Sequence, residues 1–252
     1  MLRSLYIAGT GMITQRAKMD VITNNIANMD TVGFKGDEMI SRSFSDLLLN
    51  EINDPDIVNQ RREVGPLNTG IHVDQVFTDF SAGPLEETDL QTDLAIQSDG
   101  FFAVSTPQGV RYTRSGNFTV NSNGYLVTQE GYYVLGQNGG NLQVGTGDFT
   151  VAGDGTITAE GRNAGKLRLV TFENLTDLRK TGNNLYTTYN NAQPVDVANP
   201  DIKQGWQETS NVDMATVMVN MLSTQRNYQS NQQIVKMVDE TLAKTVNEIA
   251  KF

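Results

Sequence analysis

Met214, Met221, Tyr228, Val235, Leu242 and Ile249 stand seven residues apart through the end of the chain. A heptad run of this length has one good solution, a continuous α-helix of about 54 Å whose apolar seam must be covered by another helix. Val217, Val238 and Val246 flank that seam. Thr224, Gln225, Asn231 and Gln232 interrupt it with polar layers, which weaken a seam but fix its register. Ser210-Asn211-Val212-Asp213 reads as the start signal, with Ser210 as N-cap and Asp213 as the acid of a capping-box variant.

The opposite end carries a shorter version of the same pattern. Leu5, Met12, Met19 and Ile26 recur every seven residues, with Ala8 and Ile22 on the adjoining seam. The helix should end near Asn28, because Asn24, Asn25 and Asn28 are weak helix formers and Thr31-Val32-Gly33 supplies a turn before Phe34. All nine Met fall in these two ends or just beside them, and Met-rich surfaces repack readily against varied partners. The C-terminal seam outlasts the N-terminal one by about ten residues, so a two-helix pair leaves an apolar stripe uncovered. That stripe predicts self-association, with both ends poorly ordered in the free monomer and folding as subunits pack.

Between the ends the hydrophobic period changes from seven to two. Phe101 to Ser105, Val110 to Arg114, Phe118 to Val120, Tyr125 to Gln129 and Tyr132 to Leu135 are β-branched and aromatic runs separated by Gly-containing turns. Asn121 to Gly124 and Gly153 to Gly155 read as hairpin turns, not calcium loops. The fold class is therefore α+β: an all-β central domain flanked by N- and C-terminal α-helices that pair as a coiled-coil-like helical domain. The expected segments are an N-terminal helix in 1–35, an extended connection in 36–80, the β domain in 81–180, a return connection in 181–204 and the C-terminal helix in 205–252. Within the connection, Phe44 to Ile52 reads as a short helix and residues 53–69 as an extended stretch.

Charge and composition exclude several functions. The 252 residues carry 19 Lys+Arg against 29 Asp+Glu, a net charge of -10, which argues against a nucleic-acid partner. The imbalance lies in the middle, where eleven basic groups face twenty-two acidic ones between residues 36 and 204. There is no Cys and one His, His72, so thiol chemistry and the usual metal constellations lose their ligands. No catalytic, cofactor-binding or metal residue is assigned, and the chain is read as a non-enzyme without cofactors. Glu86, Glu87, Asp89 and Asp93 are read as solvated surface, and His72 as a strand residue. No stretch is apolar enough to insert in a membrane, and the N-terminus makes a poor cleavable signal.

Four ordered segments resemble the axial proteins of the bacterial flagellum, the rod, hook and hook-associated family. They are Asn24-Asn25-Ile26-Ala27-Asn28 with Thr31-Val32-Gly33-Phe34-Lys35; Asp99 to Val104; Tyr112 to Phe118 with Gly124 to Val127; and Ser210-Asn211-Val212-Asp213 with Gln225 to Tyr228. Length and the segment Gln204 to Val212 resemble rod subunits, the distal type more than the proximal one, with a hook subunit as the alternative. From another class, a secreted cell-wall glycan-active protein using Glu86, Glu87 or Asp89 is the weaker alternative. The resemblance implies a structural subunit exported through the flagellar type III apparatus without a cleaved signal peptide. It also implies self-assembly through the terminal helices into a helical tube outside the cytoplasmic membrane, carrying torque from motor to hook. Implied partners are further copies of the chain, other rod proteins, hook protein and ring or bushing proteins. The assembly residues would be the two heptad sets with Ile22, Val217 and Val238.

Overall fold

The computed structural model of the protein describes residues 2–51, 62–145, 147–159, 161–190 and 192–249. They form two compact units, one of residues 1–26, 37–77 and 214–252, the other of residues 27–36 and 78–213. The first thus groups residues 37–77 with the helices, and the second takes in the segment that follows the N-terminal helix.

The first unit is built on α1 (Leu2–Ala27) and α2 (Met214–Ile249), which pair. They meet tightly at Gly11, where an added Cβ would lie 2.8 Å from Asn231 Nδ2. Gly11 lies sixteen residues before the end of α1 and Asn231 seventeen after the start of α2. The connected ends are also neighbours, since Gly36 N–H donates to Asn211 Oδ1 at 2.8 Å, so the helices run antiparallel. In that register α1 is used up opposite about Glu240, and the last turns of α2 continue beyond it.

The most buried positions on α1 are Ala8, Gly11, Thr14, Ile22 and Asn25, while Leu5, Met12, Met19 and Ile26 flank them half-buried. The seam is therefore centred one position away from the large residues. Ala8, Gly11 and Thr14 are small enough for close helix approach, which bulkier groups at those points would prevent. On α2, Thr224 is buried, and Val217, Met221, Tyr228, Asn231, Val235, Val238 and Leu242 are half-buried. The hydroxyls of Thr14 and Thr224 donate to carbonyls four residues back, Thr10 O and Asn220 O, so neither polar layer leaves an unpaired donor.

The start of α2 differs from the expected cap. The helix begins at Met214 with Asp213 immediately ahead of it, and the Ser210 hydroxyl instead accepts the Val212 N–H at 3.2 Å in a preceding turn. Asp213 occupies the N-cap position that Ser210 was expected to fill, and the intervening residues are held by Asn211 before a helix can begin.

The rest of the first unit is a two-stranded ribbon. β1 (Asp37–Ser43) pairs with β4 (Ile71–Thr78), and β2 (Leu47–Glu51) pairs antiparallel with β3 (Arg62–Leu67). Phe44 N–H donates to Gly70 O, carrying the ladder from one pair to the next. The helix expected from Phe44 to Ile52 is thus replaced by β2 over its described part. Its three leucines favour a helix by propensity, but the partner strand supplies ladder bonds that an isolated helical turn lacks. Residues 52–61 lie outside the described residues. His72 is in β4, as its sequence suggested, with its ring stacked 4.8 Å from that of Phe44.

The second unit is all-β. Its short strands are β5 (Leu85–Glu87), β6 (Leu94–Ile96), β7 (Phe101–Thr106), β8 (Gly109–Thr113), β9 (Thr119–Val120), β10 (Leu126–Val127) and β11 (Tyr133–Val134). They are followed by β12 (Phe149–Val151), β13 (Thr156–Ala159), β14 (Arg162–Lys166), β15 (Leu169–Thr171), β16 (Leu178–Lys180), β17 (Leu185–Thr188), β18 (Val195–Asp196), β19 (Ile202–Gln204) and β20 (Trp206–Glu208). The main sheet has the order β16-β17-β8-β7-β11-β10-β9, and β15 joins β7 and β18. Every pairing with a defined register in this unit is antiparallel, the outcome predicted by the Gly-punctuated alternation. Asn121 to Gly124 closes as a turn, Gly124 N–H donating to Asn121 O.

Side chains alternate across β7 into two cores. Phe102 and Val104 enter the larger, with Phe118, Leu126, Val134 and Ile157, while Phe101 and Ala103 enter the smaller, with Tyr112, Phe172 and Tyr186. Phe102 is fully buried and meets Phe118 edge-on at 5.0 Å. Phe102→Ala should cost roughly 3–5 kcal/mol, the range for emptying a buried aromatic site. Urea unfolding followed by circular dichroism measures this loss.

Candidate functional site

The segment that leaves α1 enters the β unit through a sequence of side-chain locks. Thr31 N–H donates to Asn28 O, closing the turn that follows the helix. Gly33 then takes φ +66, and its N–H donates to Glu208 O at 2.7 Å. A Cβ there would sit 2.5 Å from Ser115 N, so both the left-handed backbone and the space demand glycine. Phe34 is buried with Lys180 Nζ 4.3 Å above its ring, and the same ammonium donates to Lys35 O at 2.6 Å. Asn184 Nδ2 donates to Val32 O at 2.8 Å.

Lys35 is 1% exposed, and its ammonium donates to Ser81 O at 2.7 Å and to Glu208 Oε1 at 2.5 Å. The other oxygen, Glu208 Oε2, accepts Arg114 Nε–H at 2.5 Å. Gly83 N–H fills the remaining side of Oε1 at 2.8 Å. Arg114 also donates to the Ile96, Ser98 and Gly100 carbonyls, alternate residues from the end of β6 to the start of β7. Asn211 completes the arrangement, accepting from Gly36 N–H while its Nδ2 donates to Asp79 O at 2.9 Å.

One carboxylate therefore serves two buried cations. Burial alone would raise the pKa of Glu208, but the charge of Arg114 and the hydrogen bonds from Lys35 and Gly83 outweigh it and hold the carboxyl below its usual value. Lys35 shifts down because desolvation exceeds the help it receives from Glu208, which it shares with a competing Arg114; Asp79 adds a smaller attraction. The two shifts are consistent: the carboxylate gains two cations, whereas each cation has half a carboxylate.

The residues expected from the motif divide by position. Asn25 is buried in the first unit, its side-chain amide exchanging two hydrogen bonds with the backbone of Asp37. Asn24 and Ala27 are exposed, Asn28 is half-buried, and Thr31 is exposed at the turn. Gly33, Phe34 and Asn211 meet in the β unit, with Ser210 buried and Val212 half-buried beside them. Of the heptad positions, Met214 is 42% exposed, and the side chain of Ile249 lies outside the described residues.

Sequence reasoning missed the charges. Lys35, Arg114 and Glu208 each fall within segments of the family pattern, and residue order alone assigns none of them a role. A clue was available in the ordering Phe34-Lys35, where a cation directly follows a residue fitted for burial.

A pH dependence follows. Glu208 contributes stability in full above its unfolded pKa of about 4.3, and loses it as pH falls through its lower folded value. Lys35, whose folded pKa is also lowered, gives stability that rises with pH between its folded and unfolded values. Glu208→Gln should lower stability at neutral pH by roughly 3–5 kcal/mol, the loss for stripping the partner from a buried charge, and flatten part of the acid limb. Denaturant melts from pH 3 to 7, about the span that covers a carboxylate titration, measure both effects.

Three family models match the chain in order: the flagella basal body rod protein over residues 5–35, the flagellar hook protein FlgE/F/G D1 domain over 95–159, and the flagellar basal body rod FlgEFG protein C-terminal over 203–248. The flagellar basal-body rod protein FlgG of Bacillus subtilis is 37% identical, covering 98% of this chain and 99% of its own length. The flagellar hook-basal body complex protein FlhO of the same organism is 33% identical over the whole of both chains. The rod protein FlgF of Caulobacter vibrioides is 34% identical over 94% of this chain and 93% of its own. With full-length similarity and all three models in sequence order, the chain belongs to the flagellar basal-body rod protein family.

Proposed function

We propose that the chain is a structural subunit of the flagellar basal-body rod, of the distal type, which builds a helical tube by packing its helical unit against further copies and carries torque from motor to hook. The observation that carries the reading is a second apolar face on each helix. Once the seam is shared between α1 and α2, Tyr6 and Ile13 still stand exposed on α1, and Met218, Val219 and Leu222 on α2, with Ile13 at 70% and Val219 at 65%. Val246, also 65% exposed, lies on the part of α2 that continues past α1.

A hairpin with one face satisfied and another bare is suited to heterologous contact. Each copy presents one face and receives another, and such contacts extend into an open helical assembly when they do not close into a ring. Each large side chain covered in this way contributes about 1.5–3 kcal/mol. The relatives' names support a place in the basal body, and the neighbours proposed there are other rod proteins, hook protein and ring or bushing proteins. Export through the type III apparatus suits a chain without cysteine, since no disulfide has to be undone before threading. A hook subunit is the second reading, favoured by the family model over residues 95–159, whose description spans hook and rod proteins.

Val219→Asp should abolish polymerisation while leaving the melting of the β unit unchanged, because it charges the bare face alone. Met221→Asp should also loosen α1 from α2, since it lies in the shared seam. Leu242→Asp is expected to block assembly in the same way, from the end of the helix. Sedimentation of the purified protein, with motility of a deletion strain carrying each variant, separates these outcomes. A motile strain carrying Val219→Asp would remove the bare face from the assembly. Locating the chain in purified basal bodies distinguishes rod from hook.

A further inference from the structure

The Lys35, Arg114 and Glu208 cluster joins parts of the chain that are far apart in sequence. Lys35 and Glu208 are 173 residues apart, and Arg114 and Glu208 are 94 apart. We propose that Glu208 is a coincidence lock, whose negative charge seats residues 27–36 and residues 205–213 in the β unit together or not at all. The proposal is independent of the assembly reading, because every contact it uses lies within the β unit.

The argument is one of charge arithmetic. Arg114 belongs to the β unit itself, held by the Ile96, Ser98 and Gly100 carbonyls, none of which lies on the two seated segments. Lys35 arrives on the incoming segment and is buried on arrival. With Glu208 present, two cations share one anion. Without its charge, two buried cations face carbonyl oxygens and the smaller attraction of Asp79, and Lys35 recovers hydration only by withdrawing with its segment.

The converse loss is smaller. If Lys35 becomes apolar, Glu208 and Arg114 remain as a neutral buried pair, and the Gly83 N–H still fills Oε1. The lock is therefore asymmetric, and its failure depends on charge instead of bulk. Backbone bonds make the seating mutual: Gly33 N–H takes Glu208 O, Thr209 N–H takes Pro84 O, and Asn211 holds both Gly36 and Asp79. The two seated segments carry the helix roots, since Ala27 ends α1 and Asp213 precedes Met214 of α2. Opening the lock releases both roots at once.

Hydrogen exchange with mass spectrometry on the purified full chain tests this. Glu208→Gln keeps the size and an acceptor oxygen, and is expected to speed exchange of residues 28–36 and of 205–213 together, by about tenfold or more, while β7 and β8 keep their protection. Lys35→Met should produce a smaller rise. The double variant Lys35→Met with Glu208→Gln should exchange more slowly than Glu208→Gln alone, because it removes the stranded cation. Arg168→Met, which breaks the more exposed pair with Asp196, serves as a control and should leave both segments unchanged.

Unchanged exchange in Glu208→Gln would overturn the lock, and so would loosening of one segment without the other. A double variant worse than Glu208→Gln would also overturn it, since additive loss is the signature of packing. If Glu208→Gln loses protection in β7 and β8 as well, the double variant decides: recovered protection supports the lock, and none refutes it.

Discussion

A single carboxylate shared by two buried cations is the constraint on which the rest of this structure depends. Glu208 ends β20, whose pairing with β5 places it beside Gly83, and its side chain reaches the segment that has just left α1. Burying three charged groups is expensive, and a hydrophobic cluster of equal volume would often serve stability as well or better. What the charges add is direction. Arg114 donates its Nε–H to one oxygen and Lys35 its ammonium to the other, and no shift of register along β20 satisfies both. The entry of the N-terminal segment and the departure of the C-terminal one are thereby set to a definite residue, Gly33 opposite Glu208 and Gly36 opposite Asn211.

That definiteness matters because the helices that follow are not fastidious. The seam of α1 is lined by Ala8, Gly11 and Thr14, which permit close approach without interlocking strongly. Asn231 against Gly11 and the buried Thr224 supply what register the pair has, since sliding by one turn would set a larger residue against Asn231 or strand a polar group among apolar ones. Methionines on α2 adapt to whatever lies opposite.

Much of this was legible from residue order, and the parts that were not share a cause. The heptad of α2 could be read in its middle, where Met221, Tyr228, Val235 and Leu242 are half-buried, but the most buried position is the polar Thr224 and Met214 is exposed. On α1 the adjoining seam of Ala8 and Ile22 is the buried one, while Leu5, Met12 and Met19 flank it half-buried, because periodicity weighs residues by hydrophobicity whereas close helix contact is decided by what is small. Turn chemistry disclosed the hairpins of the β unit. Residues 37–78 resisted, since a two-stranded ribbon has no two-sided core to impose alternation, and β1 is mostly exposed along its length. The lock was invisible for a simpler reason: a lone Lys, Arg or Glu is nearly always at the surface, and only the fold reveals that three of them, far apart in sequence, meet in the interior.

The two kinds of contact answer different demands. A lock made of short, charge-assisted hydrogen bonds tolerates almost no displacement, because such bonds weaken steeply with angle and distance. An apolar helical face tolerates a great deal, because dispersion and solvent exclusion are non-directional and Met side chains have several rotamers to spend. In a polymer of identical chains, small misfits accumulate if every contact is rigid, and register is lost if every contact is soft. The lock holds residues 27–36 and 205–213 to a definite register within the β unit, and the assembly proposed above, through Ile13, Met218, Val219 and Leu222, uses contacts of the adaptable kind.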